Sequence, residues 1–311
     1  MKKLFTIPIL LEDSGKTIGD YLKINLHLSP AQIRSLKFRE NGICVNGTRV
    51  RVTYILQSGD VLTVDLGDEQ NTSEHLMPAD HPLSIFYEDE DIICVWKSAG
   101  VVVHPAHGHY QDSIANYLHA YFKKKQEEVQ VRLIGRLDRD TSGILVFAKN
   151  KIAAARLWEQ RSRGIFRKEY LALCEGTFPQ EAYVKEQMVE EPIGKLPAEK
   201  NKMFVTSEGK PAVTYFQVLQ PDEEETHMAA RLFETSIDEI KENTLVRLHL
   251  GTGRTHQIRV HMAYLGHSLV GDAVYGNGIS GQTNAKLCAW RVELVQPFTG
   301  EGITIDSHTF L

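Results

Sequence analysis

The 311-residue chain is predicted to be an α+β protein: a small N-terminal α+β unit, then a larger unit on a mixed, largely antiparallel sheet with flanking helices and loops. Three observations carry this. Residues 1–66 hold two helical patterns, a hairpin signal and one further strand in a self-contained order. Residues 67–82 lack apolar periodicity and contain Pro78 and Pro82, the mark of a linker. Across residues 83–311 short apolar runs recur between Gly or charged turns, without the regular strand–helix alternation of a doubly wound parallel fold.

Each element has a local reason. Lys16–Asn25 places Ile18, Leu22 and Leu26 near helical spacing. Ser29-Pro30-Ala31-Gln32 opens a second helix with a capping serine, a proline suited to the first turn and a glutamine able to close a capping box; the helix is expected to end at Asn41-Gly42. Ile43–Val45 and Thr48–Val50 flank Asn46-Gly47, a type I′ hairpin signal, and Val61–Val64 follows Gly59-Asp60 as a closing strand. Farther on, strands are expected at Ile85–Tyr87, Ile92–Trp96, Val101–Val103, Val131–Ile134, Ile144–Phe147, Tyr170–Cys174, Val213–Leu219, Thr244–Leu250 and Leu287–Val292. Helices are expected from an Asp112 cap to Phe122 and over Lys151–Arg163, closed by Gly164.

Composition excludes several classes. At 42% hydrophobic and 24% charged residues the chain reads as an ordinary globular protein, and no apolar stretch approaches the roughly 20 residues that span a bilayer. Glu12 and Asp13 follow the first apolar residues too soon for a cleaved leader, so a cytosolic protein is expected. Cys44, Cys94, Cys174 and Cys288 lie far apart in apolar runs and read as buried reduced thiols. The net charge of −5 disguises an uneven distribution: residues 132–168 carry ten Lys or Arg against three acids, whereas residues 221–242 carry eight acids against Arg231 and Lys241 and read as a solvated insertion. Nothing marks an oligomer, and a monomer is expected.

The most informative segment is Gly135-Arg-Leu-Asp-Arg-Asp-Thr-Ser-Gly143, a polar loop held between two strand-like runs. Loops mounted so rigidly are where chemistry usually sits. Asp138 beside arginines could attack carbon or relay protons, but it could equally form a structural ion pair. His107 and His109 alternate with Gly without a completing carboxylate or thiolate, and His256 and His261 are five apart, so no metal site is expected. Phosphate-cradling glycine motifs and a Gly-x-Ser-x-Gly elbow are missing as well, and no cofactor is expected.

Taken together, the motifs resemble the RluA-type pseudouridine synthase family. Beside the Arg-Leu-Asp loop stand Gly100–Pro105, Lys168-Glu169-Tyr170, Gly209–Thr214, Gly253–His261 and Gly271–Gly276, in the family's order across residues 83–300. Gly135 departs from the pattern, since many members carry His there. The resemblance implies the pseudouridine synthase fold and isomerisation of uridine in structured RNA, most plausibly large-subunit ribosomal RNA, with transfer RNA as the alternative substrate and a non-catalytic RNA-binding protein or a uridine glycosidase as alternative functions. It implies that Asp138 is the nucleophile and that Arg136 fills the gap left by the extracted uridine. Tyr170 would pack on the flipped base and assist proton removal at C5, and Arg259 would pair with Asp138. The N-terminal unit resembles the alpha-L RNA-binding fold named for ribosomal protein S-four, which implies phosphate contacts from Lys23, Arg34, Lys37, Arg39, Arg49 and Arg51.

Overall fold

The computed structural model describes residues 4–26, 28–65, 76–106, 108–195, 202–276 and 284–307. Its N-terminal part begins with strand β1 (Leu4–Pro8), the short apolar run weighed above only as a leader. Helix α1 (Ile18–Ile24) starts at a Thr17 cap. At α2 (Pro30–Lys37) the capping box closes, with Ser29 N–H donating to Gln32 Oε1 at 2.7 Å and Gln32 N–H to Ser29 Oγ at 3.3 Å. β2 (Ile43–Val45) turns into β3 (Thr48–Arg49) through Asn46 and Gly47, whose φ angles of 50° and 79° suit a type I′ turn. With β4 (Val61–Asp65) these strands form an antiparallel sheet in the order β1-β4-β2-β3.

Ile18, Leu22, Leu56, Leu62 and Val64 are fully buried between that sheet and its two helices. The same apolar cluster takes in Ile152 and touches Phe298 from the rest of the chain, and Phe5 stacks on Phe298 at 4.8 Å. Arg156 reinforces the contact by donating to the carbonyls of Asn25 (3.3 Å) and Pro297 (2.6 Å).

The remaining elements are β5 (Ile85–Glu88), β6 (Ile92–Lys97), α3 (Ile114–Lys124), β7 (Arg132–Ile134), β8 (Ser142–Ala148), α4 (Lys151–Ser162) and β9 (Arg167–Cys174). They continue with α5 (Glu181–Val184), β10 (Gln187–Glu190), β11 (Ile193–Lys195), β12 (Met203–Val205), β13 (Val213–Val218), α6 (Glu223–Leu232) and α7 (Ile237–Glu242). The chain closes with β14 (Thr244–Leu250), α8 (Gln257–Tyr264), β15 (Leu287–Val295) and β16 (Gly302–Asp306). The main sheet runs β10-β13-β14-β9-β15-β8-β6-β5, with β16 on β15 and β7 on β8. Its pairings are antiparallel except β8 with β15, so the expected mixed, largely antiparallel α+β architecture is the one observed. At that parallel seam Gly143 has φ +125°, and a Cβ on it would lie 2.4 Å from the Ala289 carbonyl oxygen. Glycine alone lets β8 leave the polar loop so close to β15.

Helix α2 stops at Lys37, short of the expected Asn41-Gly42, and three further local expectations change. Val101–Val103 is no strand: the Val102 and Val103 carbonyls accept from Ile114 and Ala115 N–H at the start of α3. That helix is capped by Ser113, not Asp112, through a box with Asn116. Residues 221–242 form α6 and α7, whose Ala229, Ala230, Leu232, Phe233 and Ile240 bury against Leu171, Leu173 and Leu245 of the sheet. Their acids face outward while an apolar stripe docks, an amphipathic pattern hidden by the density of carboxylates. Most of the expected linker, residues 67–75, lies outside the described residues, as does His107.

Candidate active site

β7 and β8 pair antiparallel, Ile134 opposite Val146, so residues 135–141 form a loop projecting from the end of the hairpin. Within it the Thr141 N–H donates to the Asp138 carbonyl at 3.2 Å, closing a tight turn that presents the Asp138 side chain. Lys97, at the end of β6, braces this loop from beneath. It is 0% exposed, and its ammonium donates to the carbonyls of Ser98 (3.0 Å), Val101 (2.7 Å) and Arg139 (2.7 Å). Gly100 N–H gives the Arg139 carbonyl a second bond at 2.9 Å. All three ammonium donors are thus engaged, as burial demands.

Burial pushes the Lys97 ammonium down to about 8, against the opposing pull of Asp140 and Asp138. An unfolded chain holds that proton up to about 10.5, so between about pH 8 and 10.5 unfolding takes up a proton and stability rises with pH. Lys97→Met is expected to remove this rise and to lower stability at pH 7 by roughly 2–3 kcal/mol, since three carbonyls lose a charged donor. Urea melts across pH 6–10 check both effects.

Above the loop lies a cavity of about 100 Å³ walled by Asp138, Tyr170, Leu250, Ile258 and Leu287, with Arg136 at its rim. Tyr170 stands on β9 opposite Leu248 and is 7% exposed. Burial, the largest influence, drives its phenol far above the ordinary value; Arg161 opposes and the Asp138 charge adds to it. A phenol held neutral in this way offers a packing surface, and its ionised form is not available as a proton acceptor.

The cavity's far wall is the Gly251–His256 loop leading into α8. Gln257 is buried and fixes this loop: its Oε1 accepts from Arg254 N–H (2.9 Å) and Thr252 Oγ1 (2.8 Å), while its Nε2 donates to the Val213 carbonyl (2.8 Å) and Thr214 Oγ1 (3.0 Å). His256 takes the left-handed conformation, φ 56°, a conformation uncommon outside glycine and found where surrounding structure enforces it. Its Nδ1 lies 2.9 Å from the Tyr275 hydroxyl.

Arg259 departs from expectation. Its guanidinium forms a bidentate pair with Asp272, Nε to Oδ2 at 2.7 Å and Nη2 to Oδ1 at 2.6 Å, and approaches Asp140 at 3.7 Å. It makes no ion pair with Asp138. Asp272 is the better partner because it is 3% exposed and is itself fixed by the N–H groups of Val274 (2.9 Å) and Tyr275 (3.0 Å). Burial works against the Arg259 charge, but the Asp272 hydrogen bonds, with the Asp272, Asp140 and Asp138 charges behind them, hold the guanidinium more firmly protonated than usual. Arg259 therefore ties the Gly-Asp-x-x-Tyr-Gly turn to the polar loop through Asp140, two residues from Asp138. Asp140 is also bound by Arg139 at 3.0 Å. Of the three carboxylates, Asp138 alone has no hydrogen bond or ion pair to its side chain among the described residues.

The structure brings Arg136, Asp138, Tyr170 and Arg259 together around one cavity. Arg34, Lys37, Arg49 and Arg51 are exposed on the N-terminal part. Arg39 is not: it is 8% exposed, and its Nη1 donates to the Asp65 carbonyl at 2.9 Å, tying α2 to the end of β4. The guanidinium is engaged inside the fold rather than offered to a phosphate. Sequence reasoning missed Lys97, Arg161 and the role of Asp272, although Asp272 lay in a quoted motif. It also passed over Phe38, 82% exposed at the C-cap of α2. Among the described residues no group of three or more His, Cys, Asp or Glu side chains is placed to hold a metal, and His109 pairs with Asp112 at 2.6 Å. No helix there is long and apolar enough to cross a membrane.

The cavity joins one unengaged carboxylate, a buried phenol and several guanidinium groups. Comparison with known proteins identifies the class. Residues 91–264 match the RNA pseudouridylate synthase family. An RNA pseudouridine synthase of Bacillus subtilis, YjbO, is 34% identical over 92% of this chain and 93% of its own. The ribosomal large subunit pseudouridine synthase D of Nitrosomonas europaea is 33% identical over 80% of this chain and 68% of its own. Among solved structures, human RNA pseudouridylate synthase domain containing 1 superimposes with a TM-score of 0.55 at 28% identity, over 74% of this chain and 85% of that one. The chain belongs to the RNA pseudouridylate synthase family and is a pseudouridine-forming enzyme.

Proposed function

We propose that this enzyme isomerises uridine in large-subunit ribosomal RNA, with Asp138 as its nucleophile. The observation that carries the assignment of Asp138 is its freedom. Asp140 and Asp272 neutralise Arg259 and Arg139, whereas the Asp138 carboxylate faces the cavity unengaged. A carboxylate without hydrogen bonds keeps its lone pairs for carbon. The ribosomal substrate is supported by relatives named as acting on the large ribosomal subunit.

The reaction breaks the bond between C1′ and N1 of uridine, turns the base and joins C1′ to C5, which gives up its proton while N1 gains one. Nothing is oxidised and no group is lost. The uridine must first leave its stack, at a cost of a few kcal/mol. Arg136, exposed at the rim, fills the space it vacates, and the Tyr170 ring receives the base. Because burial holds the Tyr170 phenol neutral, its part is packing and hydrogen bonding rather than accepting the C5 proton as a phenolate.

In the same reading residues 1–66 are an alpha-L RNA-binding domain, 67–82 a linker and 83–311 the catalytic domain of a monomeric, cytosolic enzyme. The separate four-stranded sheet of the first part supports this division, and exposed Arg34, Lys37, Arg49, Arg51 and Phe38 offer phosphate contacts and one stacking surface. Contacts away from the cavity raise the effective concentration of a structured RNA.

The test incubates purified protein with total RNA from cells lacking the gene and maps the pseudouridine formed. New pseudouridine in the large-subunit ribosomal RNA supports the reading. Modification confined to transfer RNA overturns the substrate, and release of free uracil overturns the reaction.

A further inference from the structure

Arg161, in the last turn of α4, extends from the helix into the cavity that holds Asp138 and Tyr170. Its guanidinium lies across two glycines from different loops. A Cβ built on Gly135 would lie 2.2 Å from Nη1, and one on Gly253 would lie 2.8 Å from Nη2. Gly135 opens the polar loop that carries Asp138. With φ +74° and no side chain, it leaves the space that Arg161 occupies. Trp158, three residues back on the same helix, places its ring 5.4 Å beneath the guanidinium and steadies the arm.

The head group so housed has no acceptor among the described residues. Among the described residues no carboxylate, carbonyl or hydroxyl receives a hydrogen bond from the Arg161 side chain, even though Asp138 borders the same cavity. Of the other guanidinium groups on this cavity, Arg259 is tied to Asp272 and Asp140 and Arg254 donates to the Pro211 carbonyl at 2.9 Å, whereas Arg136, exposed at the rim, also has no acceptor among the described residues. Arg161 keeps its planar fork of donors for something else, and only partial exposure to water satisfies it meanwhile. The fork matches a phosphate in two-point geometry. A nucleotide turned out of its stack swings its backbone toward the cavity mouth, bringing a phosphodiester to the rim.

We propose that Arg161 binds the RNA phosphodiester adjoining the reactive uridine, a contact made available by Gly135 and Gly253. This rests on the reading of the Asp138 cavity as the seat of the flipped uridine. The residue fixes where the strand lies; it does not act on the reacting bonds.

The experiment measures pseudouridine formation by the full-length protein on total RNA from cells lacking the gene, with KCl varied, for wild type, Arg161→Met and Arg161→Lys. Arg161→Met keeps the aliphatic stem at a half-exposed position, so folding is preserved, as a melting curve verifies. The expected result is a loss of about tenfold in kcat/KM with kcat nearly unchanged. The logarithmic dependence of kcat/KM on salt should be shallower by about 0.7, the value of one single-strand phosphate contact. Arg161→Lys should restore the salt slope and part of the affinity. An unchanged salt slope in Arg161→Met, or a loss confined to kcat that Lys does not rescue, overturns the assignment. If the wild-type protein forms no pseudouridine in this RNA, the reading of the cavity falls, and the assignment of Arg161 falls with it.

Discussion

Asp138→Asn is expected to reduce pseudouridine formation by about four orders of magnitude or more while leaving the melting temperature within a degree or two of wild type. The two halves of this expectation share one cause. The Asp138 side chain makes no hydrogen bond or ion pair among the described residues, so an isosteric amide removes nothing that holds the loop. The loop is fixed instead by the Thr141 to Asp138 backbone bond and by Lys97 on the Arg139 carbonyl. Asparagine has no anionic oxygen with which to attack carbon. RNA binding should survive, because no phosphate contact in the account involves Asp138. A variant that still modified RNA at the wild-type rate would remove Asp138 from the chemistry; one that also unfolded would make it a structural residue.

Asp272→Asn is expected to destabilise the protein by about 3–5 kcal/mol, because it strands a buried guanidinium. Arg259 is 2% exposed and donates two short bonds to Asp272, whose Oδ1 also accepts from two backbone N–H groups. Asparagine can keep part of that geometry but not the charge. The damage should reach activity as well, since Arg259 is the link from this turn to Asp140 in the polar loop. The double variant Arg259→Met with Asp272→Leu separates the two effects. Replacing both members of a buried pair by apolar groups is often close to neutral, so stability should largely return while turnover stays low. Urea denaturation of the single and double variants, with rates measured on the same samples, checks this. A single-variant loss below about 1 kcal/mol would mean that the pair is not the anchor of the site.

The parts of the fold legible in the sequence were those governed by neighbours a few residues apart. The Ser29–Gln32 capping box, the Asn46-Gly47 turn and the polar loop between β7 and β8 all depend on local chemistry, and all stand as expected. Val101–Val103 misled because its apolar run resembles a strand, yet its carbonyls meet Lys97 and the start of α3, partners that no periodicity announces. In the acidic stretch, carboxylates masked the alanines and leucine that dock α6. The candidate site was legible as a set of residues and not as a set of pairings. Arg259 seemed destined for Asp138, but burial favours Asp272, which is better fixed and fully enclosed. Lys97 lay just past the expected Ile92–Trp96 strand and drew no notice, because its role rests on three carbonyls brought together only by the fold. Arg161 was one basic residue among ten in its stretch, and only the two glycines it lies across set it apart.

That Asp138 drives uridine isomerisation in ribosomal RNA is tested most directly by a pseudouridine map of cellular RNA. Three strains suffice: one lacking the gene, one restored with the wild-type gene and one restored with Asp138→Asn. One or a few uridines in the large-subunit ribosomal RNA should become pseudouridine only with the wild-type gene. Identical maps in all three strains, or full modification with Asp138→Asn, would contradict it.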